Sequence, residues 1–288
     1  MTPPSGEPPA PPDPGSLEPI PVDVISVQSQ VVYGCVGNSV AVPTLQSYGL
    51  SVLPVPTVLL SNTPHYDTLH GGAVPLDWFE GFLADLERRN ALAQARAVQV
   101  GYLGSPEQAE ALAEWLRRVT AQHPQLRVIL DPVMGDFDSG VYVDPRLPEV
   151  LRSQLAPLAT GMAPNAFEFE QLTQTELPTV DATVEAARGF LGGRTEWVVV
   201  TSAAPQEGDP ELARIVIVTL EGHEIVSWQR VDSTAKGTGD LFSASLTSEL
   251  LSGASLLQAV RAAHDRVATV LERTARLRAN ELVLWPRE

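Results

Sequence analysis

The sequence predicts an α/β protein in three layers, with a central, mostly parallel β-sheet covered by helices on both faces. Three observations lead there. From Asp23 onward, short β-branched runs alternate with helical patterns, which is the rhythm of βαβ units. Runs such as Trp197-Val198-Val199-Val200 are apolar without alternation, as strands covered on both faces are. Past Thr201 the rhythm breaks into two neighbouring strand-like runs, which predict a hairpin at one edge of the sheet.

Residues 1–21 hold nine of the 25 prolines and neither lysine nor arginine. They have no basic start and no apolar middle, so they read as a disordered, polyproline-like tail and not as a signal peptide. A single domain, 22–288, follows. Its strands are expected at 22–27, 52–59, 97–100, 127–130 and 197–201, where β-branched and apolar residues cluster. Helices are expected between them at 38–47, 76–89, 106–122 and 180–191. The edge hairpin takes 213–219 and 224–230 and turns at Glu221-Gly222-His223. Two helices, 240–251 and 255–276, close the chain, and no internal repeat is visible.

With 288 residues and 44% hydrophobic content, the chain can bury one large core. A formal charge of −16 opposes nucleic-acid binding, because the phosphates would be repelled. No apolar run approaches the ~20 residues that a membrane span needs. Cys35 is the single cysteine. It precludes an intramolecular disulfide, fits a reducing cytoplasm, and is expected to pack as a small buried hydrophobe.

Lys236 is the only lysine among 19 basic residues, and it directly precedes Gly237-Thr238-Gly239-Asp240. An ammonium is a compact charge that reaches a phosphate where a planar guanidinium does not fit. The glycines free backbone N–H groups to turn inward, and the apolar run after Asp240 reads as a helix opening there. Such a turn at a helix N-terminus favours an anion. Further polar or glycine-rich segments directly follow strands: 28–30, 61–72, 101–104, 131–138, 165–168 and 201–202. Ligands of open α/β sheets bind beyond the carboxyl ends of the strands, so these segments are expected to crowd one edge.

These residues carry a family resemblance. Val27-Gln28-Ser29-Gln30-Val31-Val32-Tyr33-Gly34 with Val36-Gly37-Asn38, then Ser61-Asn62-Thr63-Pro64-His65-Tyr66, Asp131-Pro132-Val133-Met134-Gly135-Asp136 and Lys236-Gly237-Thr238-Gly239-Asp240 stand in the order of the pyridoxal kinases. From about Asp23 to Pro286 the chain resembles the bacterial pyridoxine/pyridoxal/pyridoxamine kinase family. The Gly-Thr-Gly-Asp signature alone would mark only the wider ribokinase-like superfamily. The resemblance implies a three-layer α/β/α ribokinase-like fold and a homodimer. It implies transfer of the γ-phosphoryl of ATP to the 5′-hydroxyl of a B6 vitamer, giving pyridoxal 5′-phosphate and related products of B6 salvage. Mg²⁺ is implied, and a monovalent cation, K⁺, beside it. Asp240 and His65 favour the pyridoxal branch: hydroxymethylpyrimidine kinases typically carry cysteine where Asp240 stands, and sugar kinases lack the 61–66 pattern.

The resemblance also implies individual roles, in line with what phosphoryl transfer requires. Asp240 is the base for the 5′-hydroxyl. Gly237, Thr238 and Gly239 form the anion hole, and Lys236 adds charge near the phosphates or substrate. Asp131 and Glu168 organise Mg²⁺ directly or through water, Asn165 orients that water, and the backbone oxygen of Tyr142 helps hold a cation. Asp131, Asn165, Thr201 and Thr238 face ATP, with ribose and adenine near Trp228, Gln229, Arg230 and Val231. Ser29 and His65 contact the vitamer, and the loop carrying His65 acts as a lid. Tyr33 is expected in the core. Read for structure alone, Asp240 is an N-cap carboxylate and Glu168 a solvated first-turn acid.

Two departures stand out: Ala163 replaces a threonine frequent before the Pro-Asn pair of the family, and Trp228 stands where a smaller or polar residue is expected. Two alternatives stay open, a hydroxymethylpyrimidine or dual-specificity kinase on the same fold, and a non-catalytic B6-binding homologue. The tail has too little apolar periodicity to bury surface. Removing residues 1–20 is therefore expected to leave the thermal midpoint and kinase turnover almost unchanged, as measured by melting and coupled ADP release.

Overall fold

The computed structural model describes residues 20–209, 211–229 and 235–286. Residues 1–19 of the tail, and Arg230 and Val231 from the nucleotide set, lie outside the described residues.

The chain opens with β1 (Val24–Tyr33), α1 (Asn38–Ser47), β2 (Val52–Asn62) and β3 (Gly71–Ala73), followed by α2 (Leu76–Arg88), β4 (Ala97–Val100), α3 (Pro106–Gln122) and β5 (Arg127–Leu130). A short hairpin of β6 (Gly135–Asp136) and β7 (Gly140–Val141) precedes α4 (Leu147–Val150), which continues through a π turn (Leu151–Leu155) and a 3-10 turn (Ala156–Leu158). Then come β8 (Gly161–Met162), α5 (Ala166–Thr173), α6 (Val180–Arg188), β9 (Trp197–Val200), β10 (Leu212–Thr219), β11 (Gly222–Gln229), α7 (Thr238–Leu251) and α8 (Leu256–Arg276).

Among the described residues, nine strands form one sheet in the order β11-β10-β9-β8-β5-β4-β1-β2-β3. The six strands from β9 to β2 in that order are mutually parallel. Antiparallel strands flank them, β3 on one side and the β10–β11 hairpin on the other.

Alternate side chains explain why both faces are covered. Val98 and Val100 of β4 and Val198 and Val200 of β9 join one core with Leu112 and Leu116 of α3 and Phe169 of α5. Trp197 and Val199 join the opposite core with Phe242 and Leu246 of α7 and Ala259 and Ala263 of α8. Ala97, Val24 and Leu45 pack against Ala244 on that same side. A strand buried on two faces cannot alternate polar and apolar residues, which is why β4 and β9 are buried throughout. Helix starts follow local chemistry: the Ser105 side chain accepts from Gln108 N–H at α3, and Ser255 and Gln258 form a capping box at α8.

The structure corrects several expectations. β1 runs on to Tyr33, so Ser29 and Gln30 lie inside the strand and not beyond it. α6 stops at Arg188, before a turn, and α7 starts at Thr238, two residues ahead of Asp240. Tyr33 is not core: it is 56% exposed, with its ring edge-on to Tyr66. Cys35 is only half-buried, and its thiol donates to Leu282 O at 3.2 Å. The two-residue strands β6, β7 and β8 are too short for any periodicity to announce them.

Candidate active site

The site is built where α7 meets the carboxyl ends of β1 and β5. Gly237 caps α7 with φ +91°, and a β-carbon there would lie 1.9 Å from Cys35 O. Backbone conformation and space both require glycine. The turn therefore sits flush against the segment after β1, with the first N–H groups of α7 unpaired by the helix. Gly237→Ala is expected to destabilise the fold by ~2 kcal/mol or more, read as a shifted denaturant midpoint.

Asp240 is in the first turn of α7 and is not its cap. Gly37, at the start of α1, donates its N–H to the Asp240 carboxylate. Burial raises the Asp240 carboxyl above its usual range, and the Gly37 N–H partly offsets this. Gly37 also joins Asp240 to Ser29. A β-carbon on Gly37 would lie 2.2 Å from Ser29 Oγ. Ser29 itself sits where the β1–β2 register shifts between Gln28 and Gln30. Such a bulge re-aims a side chain, and here it falls at a buried serine.

Asp131 follows β5, is buried, and accepts from Ser243 Oγ at 2.7 Å. Glu168 is equally buried, contrary to the solvated first-turn reading. It forms a capping box with Asn165, accepting Asn165 N–H at 2.8 Å while Glu168 N–H donates to Asn165 Oδ1 at 2.8 Å. Its other oxygen accepts Met134 N–H at 3.1 Å. Asn165 Nδ2 donates to Gly135 O at 3.0 Å, tying α5 to the β6–β7 hairpin.

Like charges in a dry pocket set the electrostatics. Burial, and then Asp240, push the Asp131 carboxyl up to about 7, with the Ser243 hydroxyl opposing. Burial and Asp131 hold Glu168 well above the carboxylate range, against the N–H groups of Asn165, Met134 and Gly135. The Tyr142 hydroxyl is raised by burial and by Glu168, Asp240, Asp131 and Asp136. Its ring stacks on Tyr102.

Lys236 pairs with Asp136, Nζ to Oδ2 at 3.2 Å, and both are partly exposed. The lone lysine thus stands at the rim, ahead of α7, tied to the segment after β5 that also carries Asp131. Thr238 is half-buried in the first turn of α7, and Gly239 turns toward Asp131, 3.9 Å between the position of an added β-carbon and Oδ2. Asn165 and Thr201 are bridged in parallel, and Thr201 N–H donates to Pro164 O at 2.9 Å. His65 lies on the loop between β2 and β3, stacked on Tyr66 with ring centroids 4.2 Å apart.

The expected residues thus gather at one edge, with Trp228 and Gln229 set apart on the hairpin. Trp228 is committed to His264 of α8, at 3.8 Å between ring centroids, which accounts for an aromatic at that position. Ala163 is buried beside Ile129, Trp197 and Phe242. A hydroxyl there would need a partner within an apolar cluster. Sequence reasoning missed Ser243 and the donor role of Gly37. Ser243 was within reach of it, since it lies one turn beyond Asp240 on the same helix.

Among the described residues, no three His, Cys, Asp or Glu side chains form a ready cage for a metal ion. Asp131 and Glu168 nevertheless fit a hard cation: two buried, mutually repelling carboxylates offer oxygen donors that positive charge would stabilise. Mg²⁺ commonly takes one or two carboxylates and completes its shell with water and phosphate.

The raised carboxyls have a consequence for stability. A folded-state pKa of about 7 against an ordinary 3.8 means that the native state binds an extra proton between those values. Stability contributed by Asp131 is present at low pH and is lost as pH rises through that window. Asp131→Asn is expected to match the parent near pH 4 and to melt a few degrees higher at pH 8 without divalent cations, in thermal scans across pH.

A glycine turn at a helix start and a carboxylate of raised basicity meet at the end of the central sheet of a three-layer fold, the arrangement of a phosphotransferase of ribokinase-like fold. The family model described as phosphomethylpyrimidine kinase matches residues 44–284. A pyridoxine/pyridoxal/pyridoxamine kinase of Bordetella bronchiseptica is 54% identical over 275 residues, covering 96% of this chain and 97% of the relative. The chain belongs to this kinase family. Pyridoxal kinase of Leishmania donovani, solved in complex with ADP and pyridoxamine, matches with TM-score 0.82 at 27% identity, over 91% of this chain and 90% of that one. The Entamoeba histolytica pyridoxal kinase, TM-score 0.85 at 22% identity over 92% and 93% of the two chains, shares the fold.

Proposed function

We propose that the protein transfers the γ-phosphoryl group of ATP to the 5′-hydroxyl of B6 vitamers, with pyridoxal, pyridoxine and pyridoxamine as substrates. The observation that carries this reading is the link Ser29–Gly37–Asp240. One bulge presents a serine to the substrate side, and the glycine packed on it holds the carboxylate that faces the anion hole. The 54% identity to a pyridoxine/pyridoxal/pyridoxamine kinase supports the choice of substrate.

In this mechanism Ser29 and His65 hold the vitamer with its 5′-hydroxyl at Asp240. Asp240 accepts the hydroxyl proton as the oxygen attacks in line, and a raised pKa makes it a stronger base than an ordinary aspartate. The N–H groups of Gly237, Thr238 and Gly239 receive charge on the transferring group, in a site where burial strengthens them. Lys236 supplies positive charge at the rim. Asn165, Thr201, Asp131 and the hairpin residues Trp228 and Gln229 border the nucleotide. When bound, Mg²⁺ would neutralise the phosphates, held by Asp131 and Glu168 with Tyr142 beside them and K⁺ completing the ionic set.

The functional unit is the single domain 22–288, and it works as a homodimer in the cytoplasm. Exposed apolar side chains near the β1–β2–β3 edge, Val32, Leu59 and Leu69, support association there. Among the described residues no helix is long and apolar enough to cross a membrane. Aspartate at position 240, where hydroxymethylpyrimidine kinases typically carry cysteine, favours the vitamer over that pyrimidine. Asp240→Ala is expected to lower turnover by at least ~10²-fold while vitamer affinity stays within a few-fold, measured by coupled ADP release and titration. Near-normal turnover in a folded variant would remove Asp240 from the role of base.

A further inference from the structure

The C-terminal segment after α8 returns to the site. Leu282 and Leu284 are buried against Val40, Leu241 and Val270. Arg273 Nη1 donates to Val283 O at 3.1 Å and Leu284 O at 2.7 Å, and Val283 N–H donates to Thr274 Oγ1 at 3.0 Å. This stitching carries Glu281 beneath the loop between β2 and β3. Glu281 is 9% exposed. Its Oε2 accepts Cys35 N–H at 3.0 Å, while its buried Oε1 has no hydrogen-bond partner and lies 3.8 Å from His65 Nε2.

The surroundings of Oε1 are underused as well as buried. Thr63 Oγ1 and the Tyr66 hydroxyl are likewise buried without a hydrogen-bond partner. Glu281 Oε1 and Thr63 Oγ1 crowd Gly34, at 2.9 and 2.0 Å from where a β-carbon would sit. The titratable groups around His65 are Glu281 from the C-terminal segment, Tyr66 of its own loop, and beyond them Tyr33 of β1 and Cys35. Burial, and then the Glu281 carboxylate, hold the Tyr66 hydroxyl above its usual range, and burial and Glu281 push the Cys35 thiol up to about 11. Glu281 is therefore the anion of this corner, and among its neighbours only His65 can meet it with a positive charge.

We infer that Glu281 is a positioning residue for the vitamer site, fixing the His65 imidazole through Nε2–H so that Nδ1 faces the ring pocket as an acceptor. At 3.8 Å the pair is in ion-pair range and beyond hydrogen-bond length, so inward closure of the loop by about 1 Å completes it. A carboxylate that holds one ring nitrogen determines the tautomer and leaves the other nitrogen free for its task. An acceptor at Nδ1 suits a vitamer ring hydroxyl. One carboxylate would then couple three parts of the chain: the loop through His65, the turn after β1 through Cys35, and the C-terminal segment that carries it.

This inference rests on the reading of His65 as a vitamer contact, and its test separates the two. Glu281→Gln keeps an acceptor for Cys35 N–H but removes the charge. In the free protein, imidazole nitrogen NMR is expected to show His65 as the Nε2–H tautomer, and that preference is expected to be lost in Glu281→Gln. In kinetics, Glu281→Gln is expected to raise the vitamer KM about tenfold, with kcat and the ATP KM within about twofold. The double variant with His65→Asn should be no worse than the poorer single one. Should Glu281→Gln fail to fold, Glu281→Asp, which withdraws the carboxylate by one methylene, is expected to weaken the Nε2–H preference in the same way. An unchanged His65 tautomer in a folded variant overturns the inference. Additive KM losses do so too, because they would mean that Glu281 acts on something other than His65. Absence of phosphorylation of every vitamer by the parent protein would instead sink the functional reading, while the NMR result still reports on the pair.

Discussion

Three carboxylates, the buried Asp131 and Glu168 and the half-buried Asp240, occupy one corner at the end of the sheet, and much of the surrounding architecture answers their mutual repulsion. Each is met by a donor. The Ser243 hydroxyl on α7 serves Asp131, the amides of Met134 and Asn165 serve Glu168, and the amide of Gly37 serves Asp240. The amides of Asn165 and Gly37 stand at helix starts, where backbone N–H groups are left over by helix geometry. The corner is thereby poised for cations. Acids kept above their usual range by burial and by one another gain when positive charge arrives.

Glycines make that arrangement possible. Gly237 at positive φ packs on Cys35 O, and Gly37 packs on Ser29, so the turns that open α7 and α1 meet at the end of β1. Rigid turns of this kind reduce the reorganisation needed when charge develops. On the loop between β2 and β3 the rings of His65 and Tyr66 pack together at a tilt.

Much of the fold was legible in the sequence, because long apolar strands and periodic helices announce themselves. The observed bounds of α1, α3, β4 and β5 coincide with the expected ones. The strands that escaped, β3, β6, β7 and β8, are two or three residues each and carry no period. The site was legible as a set of motifs, but its wiring was not. Ser243 and Asp131 are 112 positions apart, Cys35 and Glu281 are 246 apart, and Lys236 and Asp136 are 100 apart. Such pairings depend on where the fold brings separate segments, which no local pattern records. Ser29 shows the same limit within one strand: the bulge that re-aims it is a property of pairing with β2 and not of its own neighbours.

The return of residues 281–284 to the first turns of the domain also sets an order of assembly. During synthesis the strands and helices are all made before residues 281–284 join the chain. Until those residues emerge, the turn after β1 lacks the carboxylate that holds Cys35 N–H, and Val40 and Leu241 lack the leucines that cover them. A chain that has not yet gained residues 281–284 is thus denied a finished pocket.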